Sequence, residues 1–596
     1  MNNADYLYAL RHSAEHVLHQ AVKELYPSIH LAMGPATDDG FYFDFDSSPE
    51  GKEKITVTES DFPRIEKRMR ELIDKDIPIT KEIISPEQAR TLFADNPYKL
   101  EWISIAEEKG QDISIYWTGK PGEEGSMVDL CAGPHVSSTG EIKAFALLSM
   151  AGAYWHGDEK NKMLTRIYGT AFSTQKKLDA YLFMREEAKK RDHKKLGKEL
   201  DLFVFSDLVG PGLPLWTPKG TCVRNLLDAY VWKLREEKGY SRVEIPHITK
   251  KELYETSGHW DKFSDELFKI TTREGHEFAM KPMNCPHHTQ IYARKKWSFR
   301  ELPQRYANTT TCYRDEQTGE LSGLSRVRAF SQDDAHVFCR FDQVKEEFLS
   351  IWDIVQTFYA TFGFDLNIRL SLHDPQAPEK YLGGAEKWKQ AEDMLRDIVK
   401  EKNVEASEAL GEAAFYGPKI DFMAHDSLGR EWQVATIQLD MNMPERFDLS
   451  CVNESGEDER IVMIHAAIMG SIERFLSILI EHYAGAFPFW LSPVQVKVIP
   501  IAERHNEYAA TIEQSLKDAG IRVNVDEKSE SMQKKIRNAQ KEKINFMIIV
   551  GDTEIKTGEI NVRNREGKTE SMKLEAFVTQ AQTRVEQKID ESKKMQ

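Results

Sequence analysis

The chain has 596 residues, which is room for about three or four domains. Hydrophobic residues make up 40% of it and charged residues 30%, as in globular domains, and no window approaches the ~18 consecutive apolar residues of a membrane helix. The net charge of −16 argues against indiscriminate binding to nucleic acid, although a local basic patch can still contact phosphates.

The six cysteines and the N-terminal segment bear on the cellular compartment. No two cysteines form a CxxC pair, and six thiols in so long a chain are typical of a reducing cytoplasm. The segment that ends at His16 lacks the basic start and the apolar core of a signal peptide. We therefore expect a cytoplasmic protein with no membrane partner.

Residues 1–176 are predicted to form the first domain. His12 and His16 stand four residues apart in HSAEH, so they share one face of a helix. Much later, DLCAGPH contributes Cys131 and His135. Three imidazoles and a thiol match the ligand types of a zinc site, so chemistry alone favours a metal centre here.

Residues 177–200 are predicted to form one long polar linker helix. It carries a basic run, AKKRDHKKLGK, at Ala188–Lys198. Such charge runs usually form a solvated helix face. Its position between two domains also favours a contact with a nucleic-acid backbone, so both interpretations stay open.

Residues 201–489 form the predicted central domain, in which strand and helix signals alternate. The segment from Tyr313 to Phe338 predicts a strand, a polar loop and a second strand. Arginines at both ends of the loop suit a nucleoside triphosphate, because guanidinium donates to two phosphate oxygens at once. The phosphate candidates are Arg314, Arg326 and Arg328, and Phe330 is a candidate for stacking on the base. A hairpin with solvated arginines is the alternative.

Pro488 and Pro493 mark the start of the last predicted domain, residues 490–596. Three apolar segments, VQVKVIPI, IRVNVDE and INFMIIVG, are predicted strands separated by helices. This alternation with short connections predicts an α/β domain.

Several motifs in this order resemble one enzyme family. YRDE with RVRAFSQDDAH resembles motif 2 of the class II aminoacyl-tRNA synthetases, and GSIERF resembles motif 3. The helix before SRVEIP, together with that strand, resembles motif 1, which builds the dimer interface. MKPMNCP, DDAHVF, AFYGPKIDF and VMIH narrow the resemblance to the threonyl-tRNA synthetases.

The resemblance extends over nearly the whole chain and implies a fold class and an activity. It implies a multidomain α/β and α+β protein: an α+β editing domain (1–176), an antiparallel-sheet class II catalytic domain (201–489) and an α/β anticodon-binding domain (490–596). Such a homodimer would activate L-threonine with ATP to threonyl-adenylate, with Mg²⁺ on the triphosphate, and transfer it to tRNA(Thr). The small ubiquitin-like domain that many relatives carry first is expected to be lacking.

The resemblance also implies roles for individual residues of the central domain. Arg314 would stabilise the α-phosphate, Arg326 and Arg474 the terminal phosphate, and Phe330 and Glu316 would bind the adenine. His259 would act as a base in the transfer to tRNA, because a histidine pKa lies near working pH. The remaining residues implied for the ATP and threonine pocket are Met283, Gln332, Asp334, Tyr416, Lys419, Gln433, Gln438 and Ser471.

Cys285, His336 and His465 would hold a catalytic zinc ion in each subunit. Their spacing gives no support by itself, and without the resemblance a buried thiol and two ordinary histidines would be the better interpretation. A metal that requires the substrate hydroxyl as a ligand would reject valine, which lacks it. A site that binds a substrate hydroxyl can favour that substrate over the analogue without the hydroxyl by about 10⁴-fold or more.

Zinc cannot reject serine in this way, because serine also has an amine and a hydroxyl. Serine differs from threonine by one missing methyl group, which changes discrimination by only about 1–3 kcal/mol. The resemblance therefore implies a second, hydrolytic site that removes serine from mischarged tRNA(Thr). Its residues would be His12, His16, Asp129, Cys131 and His135. The related domain of this family is a metal-free deacylase, whereas an alanyl-type relative uses the same four His and Cys positions for zinc, so a metal stays a live alternative.

In the last domain, Glu554 and Arg563 match positions that contact anticodon bases, and a plain surface Glu and Arg are the alternative. The chain departs from the family pattern at three positions, Ala132, His287 and Ala466.

Two other functions stay open: a synthetase for another small amino acid, such as serine or proline, and an RNA-binding regulator without catalysis. The Cys–His–His trio argues against the first, and the motif arginines argue against the second.

Overall fold

A computed structural model describes residues 3–51, 54–123 and 125–588. The chain folds into two compact units, Met1–Glu186 and Glu187–Gln596. Within the described ranges, no helix has both the length and the apolar composition that crossing a bilayer requires.

The first unit combines helices with two antiparallel sheets. Its helices are α1 (Asn3–Leu25), α2 (Phe62–Asp74), α3 (Pro86–Leu92), α4 (Pro97–Glu108) and α5 (Gln175–Arg191), which continues past the unit boundary. Its strands are β1 (His30–Met33), β2 (Phe41–Asp46), β3 (Ile79–Ile83), β4 (Ser114–Thr118), β5 (Met127–Leu130), β6 (Ala144–Tyr154) and β7 (Met163–Phe172). The sheet orders are β1-β2-β7-β6 and β3-β4-β5.

Helix α1 packs against the larger of these sheets. Its buried apolar face includes Val17 and Leu18, and β2 contributes Phe41, Phe43 and Phe45 to the same core. The phenylalanines alternate along the strand, so they share one face of the sheet. This packing fixes the rotation of α1 about its axis, and therefore fixes where the histidines of HSAEH lie.

The second unit begins with the central domain. Its helices are α6 (His193–Glu199), α7 (Pro218–Glu236), α8 (Lys251–Ser257), α9 (His259–Lys262), α10 (Cys285–Tyr292), α11 (Val344–Phe362), α12 (Ala385–Glu401), α13 (Met443–Arg446) and α14 (Ile472–His482). Its shorter strands are β8 (Phe203–Val204), β9 (Leu215–Trp216), β10 (Ser241–Arg242), β11 (Ile248–Lys250), β12 (Lys269–Thr271), β13 (Glu277–Met280), β14 (Trp297–Ser298), β21 (Ser450–Val452) and β22 (Asp458–Arg460). The remaining strands are β15 (Gln304–Tyr313), β16 (Ala329–Cys339), β17 (Leu366–Leu372), β18 (Ala406–Leu410), β19 (Lys419–His425), β20 (Glu431–Asp440) and β23 (Val462–Ser471).

An eight-stranded sheet of order β10-β15-β16-β23-β20-β19-β17-β18 forms the centre of this domain. Its pairs are antiparallel except β10–β15 and β17–β18, which confirms the predicted antiparallel-sheet core. Helix α11 is apolar around much of its circumference and buries Phe348, Trp352 and Phe358 in the main core. The opposite face of the sheet carries a smaller apolar cluster, which includes Phe338 and Met463, beside polar side chains such as His336.

The predicted single linker helix is wrong, because α5 and α6 are separate helices that meet at Asp192. The Asp192 side chain accepts a hydrogen bond from the Lys194 backbone N–H at 2.7 Å and so begins a new helix. The basic run is also not wholly solvated: His193 and Leu196 are buried, whereas the lysines of α6 are exposed.

The last part of the chain confirms the predicted strands and helices. Its strands are β24 (Val496–Pro500), β25 (Val523–Val525), β26 (Phe546–Val550), β27 (Glu559–Asn564) and β28 (Thr569–Lys573), and its helices are α15 (Asn506–Asp518), α16 (Met532–Lys541), α17 (Asp552–Thr557) and α18 (Leu574–Glu586). The sheet order is β25-β24-β26-β27-β28, and the first three strands are parallel, as in an α/β domain.

Candidate functional site

The predicted strand, loop and strand are confirmed as β15, a loop and β16. Arg314 directly follows β15, Arg328 directly precedes β16, and Arg326 lies two residues before Arg328, so arginines stand at both ends of the loop. Side chains two apart along a strand share a face, which aligns Phe330, Gln332, Asp334 and His336 along β16. A polar row therefore runs from the arginines toward the centre of the sheet.

Cys285, His336 and His465 meet at one end of this row. They come from the start of α10, from β16 and from β23, and His336 is the register partner of His465. One potential ligand atom from each lies within 4.8 Å of the others, and His336 Nε2 is 3.1 Å from His465 Nδ1. Residues far apart in sequence thus form one buried donor set.

The second nitrogen of each imidazole is oriented by a buried partner. His465 Nε2 lies 3.0 Å from Asp440 Oδ2, and His336 Nδ1 lies 2.8 Å from His288 Nδ1. Asp440 is itself held by its other oxygen, which accepts the backbone N–H groups of Asn442 and Met443 at 2.8 and 2.9 Å. His336 Nε2 and His465 Nδ1 consequently face each other and the thiol.

This arrangement fits zinc. Tetrahedral zinc–nitrogen bonds place two nitrogens about 3.3 Å apart, and metal-bound histidines usually have their other nitrogen bound to a carboxylate or similar partner. Burial lowers the pKa of His336 far below its ordinary value, so it is in the neutral form that binds metal. The donor types, the spacing and the Asp440 partner all agree.

Several predicted threonine-pocket residues surround the trio. Asp334 Oδ1 lies 3.7 Å from His336 Nε2, and Asp334 Oδ2 accepts the Asn284 amide at 3.0 Å. The Tyr416 ring stacks on His465 with 4.7 Å between ring centroids, and the Tyr416 hydroxyl donates to Gln438. These groups give the metal-binding end of the row a carboxylate, a phenol and an amide.

Three other predicted pocket residues, Met283, Lys419 and Gln433, contact a hydrophobic cluster or a buried carboxylate. Met283 is buried in the small hydrophobic cluster that also holds Cys285. Lys419 Nζ and Gln433 Nε2 both bind the buried carboxylate of Asp421, at 2.9 and 2.8 Å. The structure therefore gives Lys419 and Gln433 a shared internal partner.

At the other end of the row, the arginines are held by acidic groups. The Arg314 guanidinium lies 5.4 Å from the Phe330 ring centroid and 3.8 Å from Glu266. Arg326 Nε donates to Glu316 at 2.8 Å, so Glu316 contacts an arginine predicted to bind phosphate. Half of the Arg326 side chain is exposed, which leaves it accessible to a ligand.

Motif 3 begins where β23 gives way to α14. Ser471 is the register partner of Gln332 and caps the helix by accepting the Arg474 backbone N–H at 3.2 Å. The Arg474 guanidinium lies 5.7 Å from the Trp432 ring centroid. The N-terminal turn of α14 therefore presents Arg474 beside the β16 row.

His259 corrects one expectation. Its ring is buried, and burial, followed by the charges of His465 and nearby arginines, lowers its pKa to about 3. The prediction that it titrates near working pH is therefore wrong for this structure. Because the Ser257 hydroxyl donates to the Tyr254 carbonyl, it accepts Nδ1–H of His259 at 2.8 Å and leaves Nε2 as the basic atom.

The first unit assembles its own cluster from α1 and the loop after β5. Potential ligand atoms of His12, His16, Cys131 and His135 all lie within 4.8 Å of one another. The Cys131 thiol is 3.3 Å from His12 Nε2 and 3.3 Å from His135 Nε2. Burial lowers the pKa of His12 to about 4 and of His135 to about 2, and raises the pKa of Cys131 to about 12. The group is neutral at pH 7 and opens on a cavity of about 420 Å³.

Beside this cluster, the predicted Asp129 belongs to a buried charge network whose other members, Glu15, His19 and Lys99, were not predicted from the sequence. His19 Nδ1 lies 2.7 Å from Asp129 Oδ2, Lys99 Nζ lies 2.5 Å from Asp129 Oδ1, and the other nitrogen of His19 pairs with Glu15. Burial raises the pKa of Glu15 to about 7. Burial alone would lower the pKa of His19, but the Glu15 and Asp129 carboxylates together raise it to about 9. Glu15 and His19 are four residues apart, so helical spacing could have found this pair, but not Lys99.

The remaining predicted positions have local partners. Glu554 Oε2 accepts the Gly551 backbone N–H at 2.8 Å, so it caps the start of α17, and Arg563 lies on β27 between two strands. Of the three departures, His287 and Ala466 are buried, and Ala132 lines the first-unit cavity.

Comparisons with known families agree with this geometry. The family described as the tRNA synthetase class II core domain (G, H, P, S and T) matches residues 268–483, and the anticodon binding domain family matches 495–584. The threonyl and alanyl tRNA synthetase second additional domain matches 114–168.

Similar proteins cover nearly the whole chain. A threonine–tRNA ligase of Rubrobacter xylanophilus is 49% identical over 96% of this chain and 88% of its own length. One from Porphyromonas gingivalis is 46% identical over 99% of this chain and 89% of its own length. The chain belongs to the threonine–tRNA ligase family. It is a class II aminoacyl-tRNA synthetase.

A solved structure extends the comparison to the fold of this ligase. The RNA binding domain of threonyl-tRNA synthetase from Cryptosporidium parvum superposes with a TM-score of 0.63 at 36% identity. The match covers 66% of this chain and 98% of that one.

Proposed function

We propose that this ligase joins L-threonine to ATP as threonyl-adenylate, releases pyrophosphate and transfers threonine to tRNA(Thr). The observation that carries the proposal is the buried Cys285–His336–His465 donor set beside Asp334, on the same sheet face as the motif-2 row. One end of the row suits an amino alcohol, and the other suits a triphosphate. A carboxylate held between them would lie near the α-phosphate.

Cys285, His336 and His465 would hold zinc in each subunit. When bound, the metal supplies a position for the substrate amine and hydroxyl, and so requires a hydroxyl that valine lacks. Asp334 would accept the hydrogen bond of that hydroxyl. Gln332 and Tyr416 would bind the ammonium group.

The nucleotide would occupy the arginine end of the row, together with Mg²⁺. Arg314 would stabilise the charge that develops on the α-phosphate as the threonine carboxylate attacks and pyrophosphate leaves. Arg326 and Arg474 would bind the terminal phosphate, and Phe330 would stack on the adenine. Because Glu316 now binds Arg326, nucleotide binding would exchange that partner for phosphate and free Glu316 for the adenine amino group.

His259 would assist the transfer through Nε2, its hydrogen-bond acceptor. Its lowered pKa keeps the ring neutral at pH 7, so Nε2 can accept a hydrogen bond from the terminal ribose of the tRNA, although the ring is a weaker base than an ordinary histidine. Glu554 and Arg563 would contact anticodon bases. For Glu554 this requires release of the Gly551 N–H or use of its other oxygen.

We also propose a cytoplasmic homodimer with an editing domain (1–176), a linker (177–200), a catalytic domain (201–489) and an anticodon-binding domain (490–596). Exposed apolar side chains support a protein interface near motif 1: Leu208 is fully exposed, and Val204, Val209 and Leu215 are 51%, 44% and 41% exposed. Apolar surface of this kind is typical of association sites. Light scattering would report a monomer if this proposal is wrong.

The cavity of the first unit would hydrolyse seryl-tRNA(Thr). His12, His16, Asp129, Cys131 and His135 line it or lie beside it, and the neutral imidazoles can accept a hydrogen bond from a water molecule. The four close donor atoms also support a second candidate, a zinc-dependent deacylase. A metal count distinguishes the two, because the second candidate adds another zinc ion per chain.

The deciding experiment is pyrophosphate exchange by the full chain with threonine, serine and valine, together with metal analysis. We expect exchange with threonine, weaker exchange with serine and almost none with valine. His336→Ala should lose both zinc and exchange, whereas the matched surface variant His276→Ala should keep both. Full exchange by a zinc-free preparation, or exchange that prefers another amino acid, would contradict the proposal.

A further inference from the structure

The loop between the motif-2 strands is attached to the linker helix α6 by one hydrogen bond. The backbone N–H of Leu324 donates to His193 Nε2 at 3.0 Å, and both residues are buried. Gly323, with a φ of +53°, lies against the same imidazole: a Cβ there would lie 2.3 Å from Nε2. The contact therefore depends on an imidazole on one side and on a glycine on the other.

This contact defines the tautomer of His193. A backbone N–H can only donate, so Nε2 must be the acceptor and Nδ1 must carry the proton. Nδ1 lies 2.6 Å from Glu481 Oε1, which therefore accepts that proton's hydrogen bond. Glu481 also binds Arg430, and Arg430 Nε donates to Asp426 at 2.8 Å. The imidazole is thus held from behind by a chain of charged groups.

Asp192, His193 and Glu481 lie close enough together to suggest a metal site. Both nitrogens of His193 are already engaged, one by a backbone N–H and the other by a carboxylate. No lone pair on the ring is left for a metal. The arrangement is instead that of a buried hydrogen-bond relay.

The anchored segment leads directly to Arg326. Ser322 and Arg326 pair through their backbones, with the Ser322 N–H donating to the Arg326 carbonyl at 3.1 Å, so residues 322–326 form a closed turn. On the other side, the Ser325 and Ser477 hydroxyls are 3.0 Å apart, and Ser477 donates to the Arg474 carbonyl at 2.7 Å. The turn is therefore held between α6 and α14, next to both arginines proposed for the terminal phosphate.

We propose that His193 is a positioning residue for ATP: its neutral imidazole holds the 322–326 turn through Leu324 and thereby sets the place of Arg326. This inference rests on the proposed role of Arg326 in binding the terminal phosphate. It assigns a function in the synthetic reaction to a residue of the linker, outside the sequence motifs. Misplacing a substrate-binding group by about 1 Å can cost up to ~10²-fold in rate.

The test uses two variants that differ by one methylene. His193→Asn keeps a donor near Glu481 but has no atom that reaches Leu324, whereas His193→Gln places an acceptor near the position of Nε2. In pyrophosphate exchange by the full chain, we expect His193→Asn to raise the KM for ATP about tenfold and to leave the KM for threonine unchanged. His193→Gln should stay within about threefold of wild type for both.

Equal behaviour of the two variants, or an equal effect on ATP and threonine, would show that His193 only supports the fold. Gly323→Ala tests the same contact from the loop side and replaces His193→Asn if that protein does not fold; an unchanged KM for ATP in that variant also overturns the inference. Wild-type protein without threonine-dependent exchange would instead refute the proposed function, and Arg326→Ala with a normal KM for ATP would refute the role on which the inference rests.

Discussion

Asp440→Asn is the sharpest perturbation of the proposed zinc site, because it changes only one atom of a buried side chain. Asp440 Oδ1 accepts two backbone N–H groups, so the oxygen of asparagine must stay on that side. The asparagine NH₂ then faces His465 Nε2 at the present separation of 3.0 Å. Two donors cannot face each other, so His465 must move its proton to Nδ1.

This tautomer change blocks the ring nitrogen that faces His336. Nδ1 of His465 is the atom 3.1 Å from His336 Nε2, and a protonated nitrogen cannot bind zinc. Loss of such a partner typically costs about 10–100-fold in metal affinity, which is about 1.4–2.8 kcal/mol. The fold should be little affected, because both backbone hydrogen bonds of the carboxylate are kept.

The assay is the rate and midpoint of zinc loss to a chelator, measured on the full chain beside pyrophosphate exchange. We expect the variant to release zinc at a free chelator concentration about 10–100-fold lower than the wild type does. Its pyrophosphate exchange should return when zinc is added. Asp448→Asn is the matched control, because that side chain is 93% exposed. A variant that holds zinc as tightly as wild type would refute the tautomer argument, and one that loses zinc together with its fold would show that Asp440 is mainly structural.

Three further results are expected. Asp333→Ala should destabilise the central domain in urea by about 3–5 kcal/mol, because Arg235, 2.6 Å away and 2% exposed, would keep an unpaired buried charge; a loss below about 1 kcal/mol would contradict this. Cys131→Ala should keep threonine activation but accumulate seryl-tRNA, and loss of activation would show that the thiol is not confined to editing. His12 has a pKa lowered to about 4, so the folded state binds fewer protons than the unfolded state below pH 6.5. This residue alone should therefore lower stability by up to about 3 kcal/mol from pH 6.5 to 4, and calorimetry should show a fall that is smaller by that amount in His12→Asn.

Local patterns in the sequence predict part of the site. The spacing of His12 and His16 predicts a shared helix face, and the Tyr313–Phe338 segment predicts a polar loop with arginines at both ends that leads into a strand. The strands and helices after Pro493 were likewise predictable, because their apolar segments alternate with short polar connections. These patterns are local, and burial of one face is sufficient to produce them.

The structure of the linker, residues 177–200, could not be predicted from local patterns. Its charge pattern predicts one continuous polar helix. In the structure, the Asp192 side chain instead caps a new helix, and His193 at the start of that helix is buried. That burial is stabilised by Leu324 and Glu481, more than a hundred residues away along the chain. No local pattern could indicate either partner.

The sequence by itself determined the family, the order of the domains and the identity of the residues that bear chemical groups. Only the tertiary structure decided which of those groups meet, because Cys285, His336 and His465 are brought together by strand register and by the start of α10. It also decided their protonation: burial lowers the pKa of His259 to about 3, whereas the neighbouring Glu15 and Asp129 carboxylates together outweigh burial and raise that of His19 to about 9. The same side chain therefore becomes an acceptor or a cation according to the charges and the amount of water that the fold leaves around it.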